Sequence, residues 1–176
     1  MEQRFVKKSM DELERLQPEA MKAADKHAII VILDDVRSMH NVGSTFRTCD
    51  AFATEALYLC GYTPAPPHRD IHKTALGATE TVKWQHFADT MKAVHAAKDA
   101  GYTIYAVEQA HNSISLDKFN YNENDKIALV FGNEVSGVSD EVLKIADGCI
   151  EIPQWGSKHS LNISVSIGVV LWECVR

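Results

Sequence analysis

From residue 27 onward the chain alternates short apolar runs with amphipathic stretches, and that alternation leaves few folds open. The runs at 28–33, 56–60, 82–86, 102–107, 126–131 and 149–152 are rich in aliphatic and β-branched residues and have strand length. Between them, residues 42–53, 90–100, 140–145 and 161–175 read as helices. Asp89 caps the second of these and Gly101 stops it, while Ser139, Asp140 and Glu141 open the third. Strands separated by helices pair in parallel, and a parallel sheet has to be covered on both faces. The expectation is therefore one α/β domain over residues 28–176. Residues 1–27 form a short N-terminal helical extension, in which Ser9-Met10-Asp11-Glu12 has capping-box spacing and Pro18 suits a first helical turn.

The totals narrow the class further. No apolar run reaches the roughly 18 residues of a membrane span, and Met1 to Ser9 lack an apolar signal core, so a cytoplasmic location is expected. Cys49, Cys60, Cys149 and Cys174 show no CxxC spacing and sit in apolar surroundings. They read as reduced core thiols, and no metal is expected. A net charge of −6 weighs mildly against a nucleic-acid partner, although a total says little about a local patch. No GxGxxG follows any strand, so a nucleotide-like cofactor would need another binding device.

Three polar clusters stand at strand ends, where α/β proteins place ligands. The first, Asn41-Val42-Gly43-Ser44-Thr45-Phe46-Arg47, follows the first strand. Asn41 reads as an N-cap, and Val42, Phe46, Cys49 and Ala53 as the buried stripe, which leaves Arg47 on a flank. Arg47 could pair with Asp50 on the surface, or stand beside a gap at Gly43 and offer its guanidinium to a phosphate. The second cluster, Phe131-Gly132-Asn133-Glu134-Val135-Ser136-Gly137, sets a carboxylate between two glycines. The third runs from Ile152-Pro153 to Ser160-Leu161-Asn162. Beyond it, the helix is apolar on nearly every side, which suits packing both into the core and against another subunit.

In this order and spacing the three clusters resemble the motifs of the SpoU (TrmH-like) RNA ribose 2′-O-methyltransferases of the SPOUT superfamily. The matching residues are Asn41-x-Gly43-x-x-x-Arg47, Phe131-Gly132-Asn133-Glu134-x-x-Gly137, and Ile152-Pro153 through Ser160-Leu161-Asn162-x-Ser164-x-Ser166. The Pro-rich stretch 63–80 is similar to the family's loop after the second strand.

The resemblance implies a parallel sheet whose C-terminal part forms a deep trefoil knot, an exception to the rule that chains stay un-knotted. It implies S-adenosyl-L-methionine as cofactor, held around Val107, Glu108, Gln109, Gly132, Asn133, Gly137, Ile152, Pro153, Ser160 and Leu161. It also implies a homodimer packed through the last helix and methyl transfer to a ribose 2′-hydroxyl of tRNA or rRNA. Arg47, Glu134, Ser160 and Asn162 would carry catalysis. Asn41, Arg47, Arg69 and Lys73, with His68, are candidates for holding RNA. Ser166 stands where alanine is common in the family. The rival readings are an RNA-binding protein of the same fold without turnover, which the intact motif residues oppose, and a generic α/β protein acting on a small anionic metabolite. A Ser160–His159 hydrolase fails because no GxSxG elbow occurs.

Overall fold

A computed structural model describes residues 5–9, 11–13 and 15–176. Strand β1 (His27–Asp34) lies near the middle of a seven-stranded sheet. It is flanked by β2 (Thr54–Cys60) and β6 (Ile127–Phe131). Beyond β2 lies β3 (Trp84–Phe87). On the other side come β4 (Thr103–Val107), β7 (Gly148–Glu151) and the two-residue β5 (Ile114–Ser115), giving the order β3-β2-β1-β6-β4-β7-β5. Every pairing is parallel. The register sets Leu33 and Val107 on either side of Phe131, and Ile150 beside Val107, so β1, β6, β4 and β7 end level. Their outgoing loops consequently start at one edge.

Both faces of the sheet are covered, as the continuous apolar runs require. Ile29, Val31, Leu33 and Leu129 face α2 (Met39–Ala51), α3 (Arg69–Ala75) and α6 (Ile163–Val175). Ile30, Ile32, Ala128 and Val130 face α4 (Thr90–Asp99) and α5 (Asp140–Ile145). Each buried Ile or Leu in these layers is worth about 1.5–3 kcal/mol. In the N-terminal extension Met10 lies outside the described residues. Its neighbours close the expected capping box, with Ser9 N donating to Glu12 Oε2 at 2.6 Å and Glu12 N to Ser9 Oγ at 3.4 Å. The box opens only a single 3-10 turn, Asp11–Leu13. Helix α1 (Pro18–Ala23) follows and buries none of its residues.

Several elements differ from the sequence reading. Helix α2 begins at Met39 and is capped by Ser38, whose Oγ accepts the Asn41 N–H at 3.3 Å. Asn41 is thus inside the first turn and its side chain is free for another task. Ala53 lies past the helix end with φ 46°. The stretch around residue 70, read as loop, contains α3, with the His68 ring nitrogen accepting from Asp70 N at 3.1 Å as its cap. Helix α6 starts at Ile163 and leaves Ser160 and Leu161 in the preceding loop. The short β5 was not anticipated.

Two close approaches fix the helices over the site. At Gly43 a Cβ would lie 2.1 Å from Thr74 Oγ1 and 2.3 Å from Ile71 O, so only glycine lets α2 and α3 pack this closely. The gap beside Gly43 is therefore filled by α3. Further along, Thr48 meets Gly168 and Phe52 meets Trp172, with ring centroids 6.4 Å apart, so α6 runs alongside α2.

Candidate functional site

The level strand ends bring three loops together. After β6 the chain closes on itself: Asn133 N donates to Gly137 O at 3.2 Å and Gly137 N to Asn133 O at 3.1 Å. Asn133 Oδ1 also accepts the N–H groups of Val135 (3.0 Å) and Ser136 (2.9 Å). This tight loop explains its glycines. A Cβ on Gly132 would lie 1.8 Å from the Gly137 carbonyl carbon. Gly137 has φ +69°, and a Cβ there would lie 2.1 Å from Glu108 Oε2. Glu108 in turn brackets the loop to the end of β4, accepting from Gln109 N (2.8 Å) and Val138 N (3.0 Å).

The loop after β7 is tied in by Gln109, whose Nε2 donates to His159 O at 2.6 Å. It ends at Asn162, the N-cap of α6, whose Oδ1 accepts Ser164 N at 2.9 Å. The decisive contacts join all three clusters. Asn41 Nδ2 donates to Glu134 Oε1 at 2.8 Å, across 93 residues of sequence. Asn162 Nδ2 donates to Asn41 Oδ1 at 3.2 Å, across 121. Asn41 is held at both ends of its amide.

These loops enclose a cleft of about 520 Å³, within the usual range for a small-molecule site. Val107, Phe131, Ile152, Leu161 and Ile163 give it apolar walls, and Glu134, Ser160 and Asn162 add polar groups. Of the residues expected at a cofactor, Val107, Glu108, Gln109, Gly132, Asn133, Gly137, Ile152, Ser160 and Leu161 all line it, while Pro153 does not. The sequence reading missed Gln154 and Ser136 at the wall, and it did not foresee that the Glu108 carboxylate also secures the loop after β6. The charged lining residues are Glu108 and Glu134, with no lysine or arginine. Such a wall disfavours a phosphate-bearing ligand and suits a flat ring attached to a neutral or cationic group.

Arg47 is exposed on α2 and outside this cleft. Among the described residues it makes neither hydrogen bond nor ion pair, and Asp50 accepts the Thr81 hydroxyl instead. The Arg47–Asp50 pair does not form, and the guanidinium is available. It stands six residues beyond Asn41, about 9 Å along the helix axis. Lys73 is less free, since its Nζ is 2.7 Å from Asp70 Oδ1. Arg69 is exposed at the start of α3, and the His68 ring serves as the cap there.

A second cleft, at the ends of β1 and β2, is lined by Asp34, Asp35, Tyr62 and Asp89. Asp34 is buried and satisfied, accepting from Thr90 Oγ1 (2.5 Å) and Ser139 N (2.9 Å). Among the described residues no group of three or more His, Cys, Asp or Glu gathers in metal-holding geometry. No helix among them is long and apolar enough to cross a membrane.

A parallel α/β sheet with a cleft built from three strand-end loops and no dinucleotide fingerprint defines the class. The chain belongs to the SpoU rRNA Methylase family, whose profile matches residues 28–172. A tRNA (guanosine(18)-2'-O)-methyltransferase from Thermus thermophilus is 32% identical over 148 residues, covering 84% of this chain and 74% of that protein. Among solved structures, the TrmH/SpoU tRNA modifying enzyme of A. aeolicus superposes with a TM-score of 0.77 at 30% identity, covering 89% and 78% of the two chains. An AdoMet-bound rRNA methyltransferase from Sinorhizobium meliloti gives 0.78 at 26% identity. There the match covers 88% of this chain but only 59% of the larger one.

Proposed function

We propose that this protein transfers a methyl group from S-adenosyl-L-methionine to a ribose 2′-hydroxyl of tRNA or rRNA. The observation that carries the reading is the Glu134–Asn41–Asn162 hydrogen-bond chain, which joins the three family motifs around one cleft. The cofactor fits the residues present: apolar walls for its adenine, strand-end backbone for its polar edges, and carboxylates facing a cation. When bound it supplies a methyl group already activated by a sulfonium.

The chain's own residues then have three tasks. Val107, Gly132, Asn133, Ile152 and Leu161 hold the cofactor through the loop backbone, with Pro153 shaping the turn. Glu134 and Asn162 fix the loops, and Ser160 lies against the reacting hydroxyl. A guanidinium stays protonated near neutral pH, so the first contribution of Arg47 is to grip the phosphate beside the target ribose and set the hydroxyl in line with the methyl. Asn41, expected among the RNA contacts, acts here by positioning the other two motifs. Arg69 and Lys73 track the RNA backbone, Lys73 by exchanging Asp70 for a phosphate.

The same reading includes residues 28–176 as the methyltransferase domain behind a helical extension, and a C-terminal trefoil knot. In its support, β7 enters between β4 and β5 although β5 precedes it, and the following loop returns past residues 132–137 to reach Asn41. It also includes a homodimer through α6, supported by the exposed apolar residues Val165, Val169 and Trp172 on that helix, and a cytoplasmic location. Calorimetric titration with S-adenosyl-L-methionine tests the reading: one site per chain is expected, and absence of binding overturns it.

A further inference from the structure

The loop between β7 and α6 carries a side chain that the fold does not use. Trp155 is 92% exposed, and its ring pairs with no other aromatic side chain among the described residues. Gln154, Ser160 and Leu161 of the same loop line the cleft, so Trp155 belongs to a loop that borders it. On the loop after β6, Val135 also lines the cleft and is 94% exposed.

The chemistry around Trp155 is one-sided. Lys158 and His159 are exposed beside it, Lys158 has no carboxylate partner among the described residues, and no acidic residue occurs between Glu151 and Glu173. In a chain of net charge −6, this is a local stretch of aromatic, cationic and hydroxyl groups. Single-stranded nucleic acid is gripped by that combination: a flat ring under a base and a cation at the phosphate. The loop is also held in place, because Gln109 fastens the His159 carbonyl at the loop's base while a Cβ on Gly156 would meet nothing within 4 Å. The base of the loop is fixed and its tip is open.

We infer that Trp155 stacks on an unpaired RNA base at or beside the methylated nucleotide, and that Lys158 takes the adjoining phosphate. This assignment rests on the RNA-methyltransferase reading. It gives the acidic chain a local RNA grip next to the cleft, separate from Arg47 on α2. It also makes substrate selection favour looped or single-stranded RNA, since a base inside a duplex offers no free face.

The test uses the full chain with bulk tRNA and rRNA. Trp155→Ala should raise the KM for RNA about tenfold or more, change kcat at saturating RNA far less, and leave S-adenosyl-L-methionine affinity unchanged. Trp155→Phe should recover most of the loss. Lys158→Ala should flatten the slope of log affinity against log salt by about 0.7. Wild-type tryptophan fluorescence should be quenched by RNA, and less so in Trp155→Phe. An unchanged KM in Trp155→Ala, with wild type active, overturns the inference and leaves the methyltransferase reading standing. A shift of Trp155→Ala to a smaller species in sedimentation also overturns it, assigning the indole to a second copy of the chain. A wild type that methylates no RNA sinks both.

Discussion

Asn41 and Glu134 meet through a single hydrogen bond, Asn41 Nδ2 to Glu134 Oε1 at 2.8 Å, and that bond couples the start of α2 to the loop after β6. The other end of the same amide receives Asn162 at 3.2 Å, so one side chain ties two of the cleft's loops to a helix. Replacing Asn41 by alanine leaves Glu134 and Asn162 without their shared partner. A hydrogen bond to a charged group is worth roughly 1.5–3 kcal/mol. Asn41→Ala is expected to weaken S-adenosyl-L-methionine binding about tenfold in calorimetry, and a double-mutant cycle with Glu134→Ala should show non-additive losses.

Gly43 offers a sharper structural test. A Cβ there would strike both Thr74 Oγ1 and the Ile71 carbonyl. Gly43→Ala should destabilise the protein by about 1–3 kcal/mol in thermal or denaturant unfolding. Thr74→Ala in the same chain should restore only part of the loss, because the Ile71 oxygen is backbone and cannot move aside.

Arg47 is expected to separate binding from chemistry. It is exposed, unpaired among the described residues and outside the cleft. Arg47→Ala should leave cofactor affinity within about twofold while methyl transfer falls a hundredfold or more, the scale on which loss of positioning acts. Arg47→Lys should recover little, since an ammonium cannot reproduce the guanidinium fork.

The buried thiols predict alkaline sensitivity. Burial pushes Cys49, Cys60 and Cys174 up to about 12, against about 8.5 for an unfolded thiol. Their folded form holds the proton more tightly than the unfolded one. The resulting stability is complete below about pH 8.5 and is lost as pH rises toward 12. The melting temperature should therefore fall steadily above about pH 9, and Cys49→Ala should lessen the fall between pH 9 and 10.5. With a thiol reagent at pH 8, half-buried Cys149 should react before the other three.

Most of the sheet was legible because its central strands are buried on both faces. Ile29 to Leu33 feed alternate sides of the same strand, so the run is apolar throughout and short. Helix α3 was hidden for a different reason. Its cap is an imidazole and its apolar contacts are only Ile71 and Ala75, which say little until α2 is present to pack against. Of the site, the glycines and Glu134 were readable as anomalies in a turn. Asn41 was misread as a cap because Asn and Ser are both good caps, and Ser38, three residues earlier, took that place. Links such as Asn41 to Asn162 join residues 121 apart, and no local pattern encodes them.

The most direct measurement is nucleoside analysis after reaction. Purified protein is incubated with methyl-labelled S-adenosyl-L-methionine and unmodified tRNA or rRNA, and the RNA is digested to nucleosides. The account predicts label only in 2′-O-methylated nucleosides, and about a hundredfold less or lower still with Arg47→Ala. Label on a base, or no transfer by a chain that binds the cofactor, would contradict it.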